Sequence, residues 1–113
     1  MIHWESHSPI YQQLKQNITM AILDGDYEEQ TALPSIRQLC SELHLNPNTV
    51  SKAYHILSDE NIIEKKRGLG MYVKKGARNR LLQIEKKRFL NKEWPKILQR
   101  VDYLGLSIEE LLS

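Results

Sequence analysis

The run Leu33-Pro34-Ser35-Ile36-Arg37-Gln38-Leu39-Cys40-Ser41-Glu42-Leu43-His44-Leu45-Asn46-Pro47-Asn48-Thr49-Val50-Ser51-Lys52-Ala53-Tyr54 opens two helices in quick succession. Ser35 and Gln38 form a capping-box pair, each able to satisfy the other's backbone amide where a helix begins. Ile36, Leu39, Cys40 and Leu43 follow at helical spacing as its apolar face. After the short turn His44-Leu45, Asn46 repeats the N-cap chemistry, and Pro47 takes the first helical position, where a missing amide costs nothing. The helix that follows buries Val50, Ala53, Tyr54 and Leu57 and turns Asn48, Thr49, Ser51, Lys52 and His55 outward. Two helices joined by so tight a turn predict a helix-turn-helix.

On the amino-terminal side, Ser8-Pro9 reads as a serine cap with proline in the first turn of another helix. Ile10, Leu14, Ile18 and Ile22, widened by Tyr11 and Ala21, form its stripe, and Gly25 ends it. Residues 26–34 read as a polar loop. On the other side, Asn61 is suited to a left-handed helix end. Ile62-Ile63-Glu64-Lys65-Lys66 and Met71-Tyr72-Val73-Lys74-Lys75 then flank Arg67-Gly68-Leu69-Gly70 as the strands of a β-hairpin. The predicted fold is mainly α with a small β-hairpin: a winged helix-turn-helix over residues 1–76, followed by a short helical segment over 77–113.

That tail carries Leu81, Leu82, Phe89, Leu90, Trp94, Ile97, Leu98, Val101 and Leu104, with helical spacing broken near Trp94-Pro95 and Gly105. Ser107-Ile108-Glu109-Glu110 is a further capping box. A segment this short encloses no core of its own, so those side chains are expected to pack against a second copy of the chain.

A chain of 113 residues has room for one small domain and an appendage, and its 41% hydrophobic and 27% charged residues argue against wholesale disorder. The net charge of +2 conceals a strong polarity. Residues 1–64 hold three basic and nine acidic groups, a net of −6, whereas residues 65–80 hold seven basic groups and no acid. Residues 81–113 are close to neutral, with six basic and five acidic groups. A concentrated cationic stretch beside an acidic body suits contact with a polyanion at one place. The lone Cys40 forms no internal disulfide framework and lies on an apolar helix face, which suits a reducing compartment. The start Met1-Ile2-His3-Trp4-Glu5 lacks a basic stretch followed by an apolar one, and no run approaches the ~18 apolar residues of a membrane span, so the chain is read as cytosolic. His3, His7, His44, His55 and Cys40 have no metal-ligand spacing, Gly68-Leu69-Gly70 does not open a helix, and no nucleophile motif organises the serines. No metal, cofactor or catalytic residue is expected.

The outward residues suit duplex DNA. Asparagine pairs bidentately with adenine, threonine hydrogen-bonds or packs on a thymine methyl, and lysine reaches guanine or phosphate. Asn48, Thr49, Ser51 and Lys52 offer these groups where the third helix begins, and Arg37 offers a guanidinium on the second. In the hairpin, Lys65, Lys66 and Arg67 stand beside Gly68 and Gly70, which let the backbone approach phosphates or the minor groove.

Pro9-Ile10-Tyr11-Gln12-Gln13-Leu14, Leu33-Pro34-Ser35-Ile36-Arg37-Gln38-Leu39, Leu45 to Tyr54 and Arg67-Gly68-Leu69-Gly70-Met71-Tyr72-Val73 together resemble, in order and spacing, the DNA-binding domain of the GntR family. The short tail ending in Ser107-Ile108-Glu109-Glu110-Leu111-Leu112 is similar to that of the YtrA branch, whose members lack a large effector domain. The resemblance implies that Ser35, Arg37, Asn48, Thr49, Lys52, Arg67, Gly68 and Gly70 face double-stranded DNA. It also implies a homodimer on an inverted-repeat operator and repression, often of a transporter operon and of the regulator's own gene. Asn61 stands where the family usually has glycine, and Met71 where a small hydroxyl residue is common. The resemblance identifies no effector. Two other readings share the architecture: a winged helix used for protein contact, which needs apolar residues on the outward face of the third helix, and a small-molecule sensor with a pocket between tail and winged domain.

Overall fold

A computed structural model describes residues 4–113; Met1, Ile2 and His3, part of the amino-terminal stretch read above, lie outside it. Helix α1 (Ile10–Asp24) begins differently from the serine-capped start its sequence predicts. Pro9 itself is the flanking residue, at φ −59° and ψ 144°, and no side chain caps the helix. Gln13 secures the entering chain instead: its Nε2 donates to the carbonyls of Glu5 (2.7 Å) and Ser8 (2.8 Å), and its Oε1 accepts from Glu5 N–H. Gly25 ends α1 in the left-handed conformation, as its position predicts. Leu14, Ile18 and Ile22 are the buried stripe.

Helix α2 (Ile36–Leu43) has half of the expected capping box. Ser35 Oγ accepts from Gln38 N–H at 3.0 Å, but the Gln38 side chain turns away and donates to Glu42 Oε1, one helical turn on. Of the predicted apolar face, Leu39 is buried and Ile36, Cys40 and Leu43 are half-buried. His44 turns the chain at φ 55°, and helix α3 (Pro47–Asp59) begins with Asn46 Oδ1 accepting from Asn48 N–H at 2.8 Å. Val50, Ala53, Tyr54 and Leu57 are all buried on α3, the face that the spacing predicts. Tyr54 donates its hydroxyl to the Pro34 carbonyl at 2.6 Å, fastening α3 to the segment that leads into α2. Burial pushes the pKa of this phenol well up, with the neighbouring Tyr27 adding to the effect, so it remains a hydrogen-bond donor throughout the physiological range. The Lys15–Glu60 pair, 3.1 Å apart, joins α1 to the end of α3.

Strands β1 (Ile63–Lys66) and β2 (Gly70–Val73) pair antiparallel, with Ile63 opposite Val73 and Lys66 opposite Gly70. Residues 30–33, read from sequence as loop, run along the other edge of β2. Gln30 N–H donates to Val73 O, Val73 N–H to Thr31 O and Leu33 N–H to Met71 O, at 2.7 to 3.0 Å. This pairing is made by main chain alone, which explains why the polar side chains did not announce it.

One compact unit ends at Leu81 and a second covers Leu82–Ser113, so the division falls five residues later than the sequence boundary at 76. Helix α4 (Ala77–Arg88) begins within the first unit, where Ala77 is 0% and Leu81 1% exposed. Leu81, expected at a dimer contact, is therefore a core residue of the winged domain. In the second unit, helix α5 (Trp94–Tyr103) follows a π-helical turn at Phe89–Glu93. The expected break at Trp94-Pro95 takes the form of this widened turn, because Pro95 lies in the first turn of α5, where it tolerates helical geometry. Gly105, at φ 70°, does end the helical run. Helix α6 (Ile108–Leu112) is capped by Ser107, whose Oγ accepts from Glu110 N–H. Among the described residues no helix is long and apolar enough to cross a membrane, and no group of three or more His, Cys, Asp or Glu is placed to hold a metal ion.

Candidate nucleic-acid interface

Helix α2 contributes Ser35 and Arg37, both exposed. Because Ser35 Oγ is engaged as an acceptor, its hydroxyl hydrogen is available to an external oxygen such as a phosphate. Arg37 forms no ion pair among the described residues, so its five donors are uncommitted. On α3, Asn48, Ser51 and Lys52 are exposed and Thr49 is half-buried. The Lys52 ammonium lies 4.2 Å from the centre of the Tyr11 ring, which holds a flexible cation of α3 against the first turn of α1. Sequence spacing could not reveal this contact, since Tyr11 and Lys52 belong to helices far apart in the chain.

The hairpin orders its charges similarly. Lys66 Nζ lies 4.6 Å from the centre of the Tyr72 ring, its diagonal neighbour across the ladder. Here a signal did exist, because the hairpin register alone places Lys66 and Tyr72 on one face. Arg67 and Leu69 are exposed at the tip, and Leu69 N–H donates to Lys66 O at 2.8 Å. Gly68 and Gly70 take φ of 78° and 100°, a backbone region that side chains resist, so the tight tip depends on both.

A groove of about 220 Å³ separates α3 from the hairpin. Ser51, His55 and Ser58 line it from α3, and Lys65 and Met71 from the strands. His55 and Ser58 extend the outward stripe of α3 by two further turns and were not among the predicted contacts; their spacing from Ser51 was the available signal. His55 Nε2 lies 3.3 Å from Asp59 Oδ2. The structure thus brings Ser51 and the hairpin to one groove and leaves Arg37, Asn48 and Arg67 exposed around the same domain. No large apolar side chain is exposed on α3.

Within the tail, Leu82, Trp94 and Val101 are half-buried, and Phe89, Leu90, Ile97, Leu98 and Leu104 are exposed in the single chain. The Phe89 and Trp94 rings lie 6.1 Å apart, tilted by 33°. From Leu82 onward no residue is buried.

The profile of the bacterial regulatory proteins of the gntR family matches residues 10–73. The chain is 36% identical over 106 residues to the HTH-type transcriptional repressor YtrA of Bacillus subtilis, covering 94% of this chain and 81% of that protein. A GntR family transcriptional regulator from Listeria monocytogenes superimposes with a TM-score of 0.81 at 29% identity, covering 96% of this chain and 94% of the other. YtrA from Sulfolobus acidocaldarius, a GntR-family transcription factor, superimposes with a TM-score of 0.65 at 30% identity, covering 100% and 99% of the two chains.

Proposed function

The chain belongs to the GntR family of bacterial regulatory proteins and is a DNA-binding transcription regulator; on that premise we propose that it works as a homodimeric repressor on an inverted-repeat operator. The carrying observation is the groove that joins the polar stripe of α3 to the cationic hairpin. A helix presenting Asn48, Thr49, Ser51 and Lys52 matches base edges in the major groove, and a hairpin tip bearing Lys66 and Arg67 matches the flanking phosphates or minor groove. Ser35 and Arg37 add donors from the preceding helix.

Dimerisation is supported by the tail, where Phe89 is 41%, Leu90 59% and Leu104 59% exposed within the single chain. Large apolar side chains concentrated in a short segment gain most from a second copy of the same surface. A two-fold axis then calls for half-sites about one helical turn, or a multiple of it, apart. The protein acts in the cytoplasm, with a transporter operon and its own gene as the expected targets.

Selection of bound fragments from genomic DNA, followed by gel-shift titration, tests the reading. Arg37→Ala is expected to weaken operator binding by about 1 to 3 kcal/mol. Unchanged affinity removes Arg37 from the interface, and equal affinity for random and selected duplexes rejects sequence-specific repression.

A further inference from the structure

Residues of α1 and α2, with Tyr27 from the loop between them, line a pocket of about 220 Å³ in the winged domain, apart from the groove beside the hairpin. Ile18, Leu39 and Leu43 are among its apolar lining, and Asn17, Tyr27 and Glu42 supply its polar groups. No lysine or arginine lines it. Glu42 Oε1 accepts one hydrogen bond, from Gln38 at 3.2 Å, which leaves the carboxylate with spare acceptor capacity. The Tyr27 hydroxyl has no hydrogen-bond partner among the described residues. Its pKa is pushed up, first by burial and then by the carboxylates of Glu42 and Asp26. The phenol therefore stays neutral in a negative field.

We infer that this pocket is a binding site for a small organic ammonium ion, its charge held by Glu42 and Tyr27 and its hydrocarbon part seated against Ile18, Leu39 and Leu43. A carboxylate gives an ammonium a charge-assisted hydrogen bond, and an aromatic face attracts the same cation. The apolar lining selects against a hydrated inorganic cation, which needs several oxygen ligands. Size restricts the ligand as well, since pockets for drug-sized molecules span roughly 300 to 1,000 Å³. Part of the lining lies on α2, the helix that carries Arg37, yet the site stands independently of the proposed role of Arg37 in DNA binding.

A heteronuclear NMR titration of the full chain with benzylamine, and with benzyl alcohol as its uncharged counterpart, tests the assignment. Benzylamine is expected to give saturable shifts at the amides of Asn17, Tyr27 and Glu42, with a Kd of roughly a millimolar for a ligand of so few atoms. Glu42→Gln, at an exposed position that tolerates the change, is expected to weaken binding by about tenfold or more, and benzyl alcohol to bind as poorly. Tyr27→Phe, which keeps the ring and removes the hydroxyl, produces a smaller loss. Shifts that do not saturate, that are matched by benzyl alcohol or that survive Glu42→Gln overturn the site. A response to a lysine-bearing peptide without one to benzylamine overturns the small-molecule assignment in favour of a protein partner.

Discussion

Thr19 is 2% exposed on α1, and its hydroxyl has no hydrogen-bond partner among the described residues. Burying a hydroxyl without a partner forfeits its bonds to water, and valine presents nearly the same shape without that cost. Thr19→Val is expected to raise stability by about 1 kcal/mol, read as a higher urea midpoint at unchanged slope; a lower midpoint would reveal a partner for the hydroxyl. Asn61 raises the opposite question, because its φ of 63° is native and its side chain is among the few that tolerate it. Asn61→Gly should leave stability within about 0.5 kcal/mol, whereas Asn61→Val should lose roughly 1 to 2. Equal midpoints for the two variants would contradict the left-handed backbone. The geometry at Asn61 was legible in the sequence because asparagine has a local preference for it. Gln30, at φ 66°, was not, because glutamine has no such preference and its N–H is held by Val73 O across the small sheet. The same distinction separates the residues proposed to face DNA. Asn48 and Ser51 follow from helical spacing, while the Tyr11 platform beneath Lys52 depends on how α1 and α3 pack.

Helices α2 and α3 announce themselves through Ser35 and Asn46, each within three residues of the amide it caps. Helix α4 does not, since its start is secured by Glu29, a loop residue nearly fifty positions earlier. The two Glu29 oxygens accept from Gly76 N–H at 2.8 Å and Arg78 N–H at 3.1 Å. These two bonds hold the carboxyl below its ordinary range against the opposing effect of desolvation, and the charges of Arg80 and Lys75 add lesser attraction. A carboxyl whose native pKa lies below its unfolded value contributes fully above that unfolded value, about 4.3, and loses its contribution as pH falls through the native one. Glu29→Gln keeps one acceptor and loses the charge, so it is expected to be less stable than the parent at neutral pH, with the gap closing in acid. Urea unfolding of both proteins at about pH 7 and about pH 3 reads the difference, and a gap that persists in acid excludes the ionised cap. An element fastened this way explains why the winged domain extends past Gly76: the cap draws the first turn of α4 onto the domain, and Ala77 and Leu81 complete the core.

At the scale of the molecule, charge and apolar surface are segregated along the chain. Residues 65–80 concentrate seven basic groups, and large apolar side chains remain exposed from Phe89 to Leu112. If each subunit engages about four phosphates, the operator affinity of a dimer should fall with the logarithm of salt concentration at a slope of about −7. Fluorescence anisotropy over a salt series measures it, and a flat response rejects the electrostatic part of the interface. Composition changes beyond Gly76, five residues before the two compact units divide, and only the packed structure distinguishes Leu81, which completes the core, from Phe89 and Leu104, which do not. A chain cut after residue 76 removes Ala77 and Leu81 from the core, and losing one buried leucine alone costs about 2 to 5 kcal/mol, a large part of a small domain's stability. That fragment is expected to lose cooperative unfolding. A chain cut after residue 88 retains both core residues and drops the apolar surface from Phe89 onward. It should therefore fold, sediment as a monomer and bind the operator weakly, because two half-sites are then met by two independent molecules and the gain from tethering disappears. A dimer of the longer fragment would move the subunit contact off the tail, and with it the proposed source of two-fold symmetry on the operator.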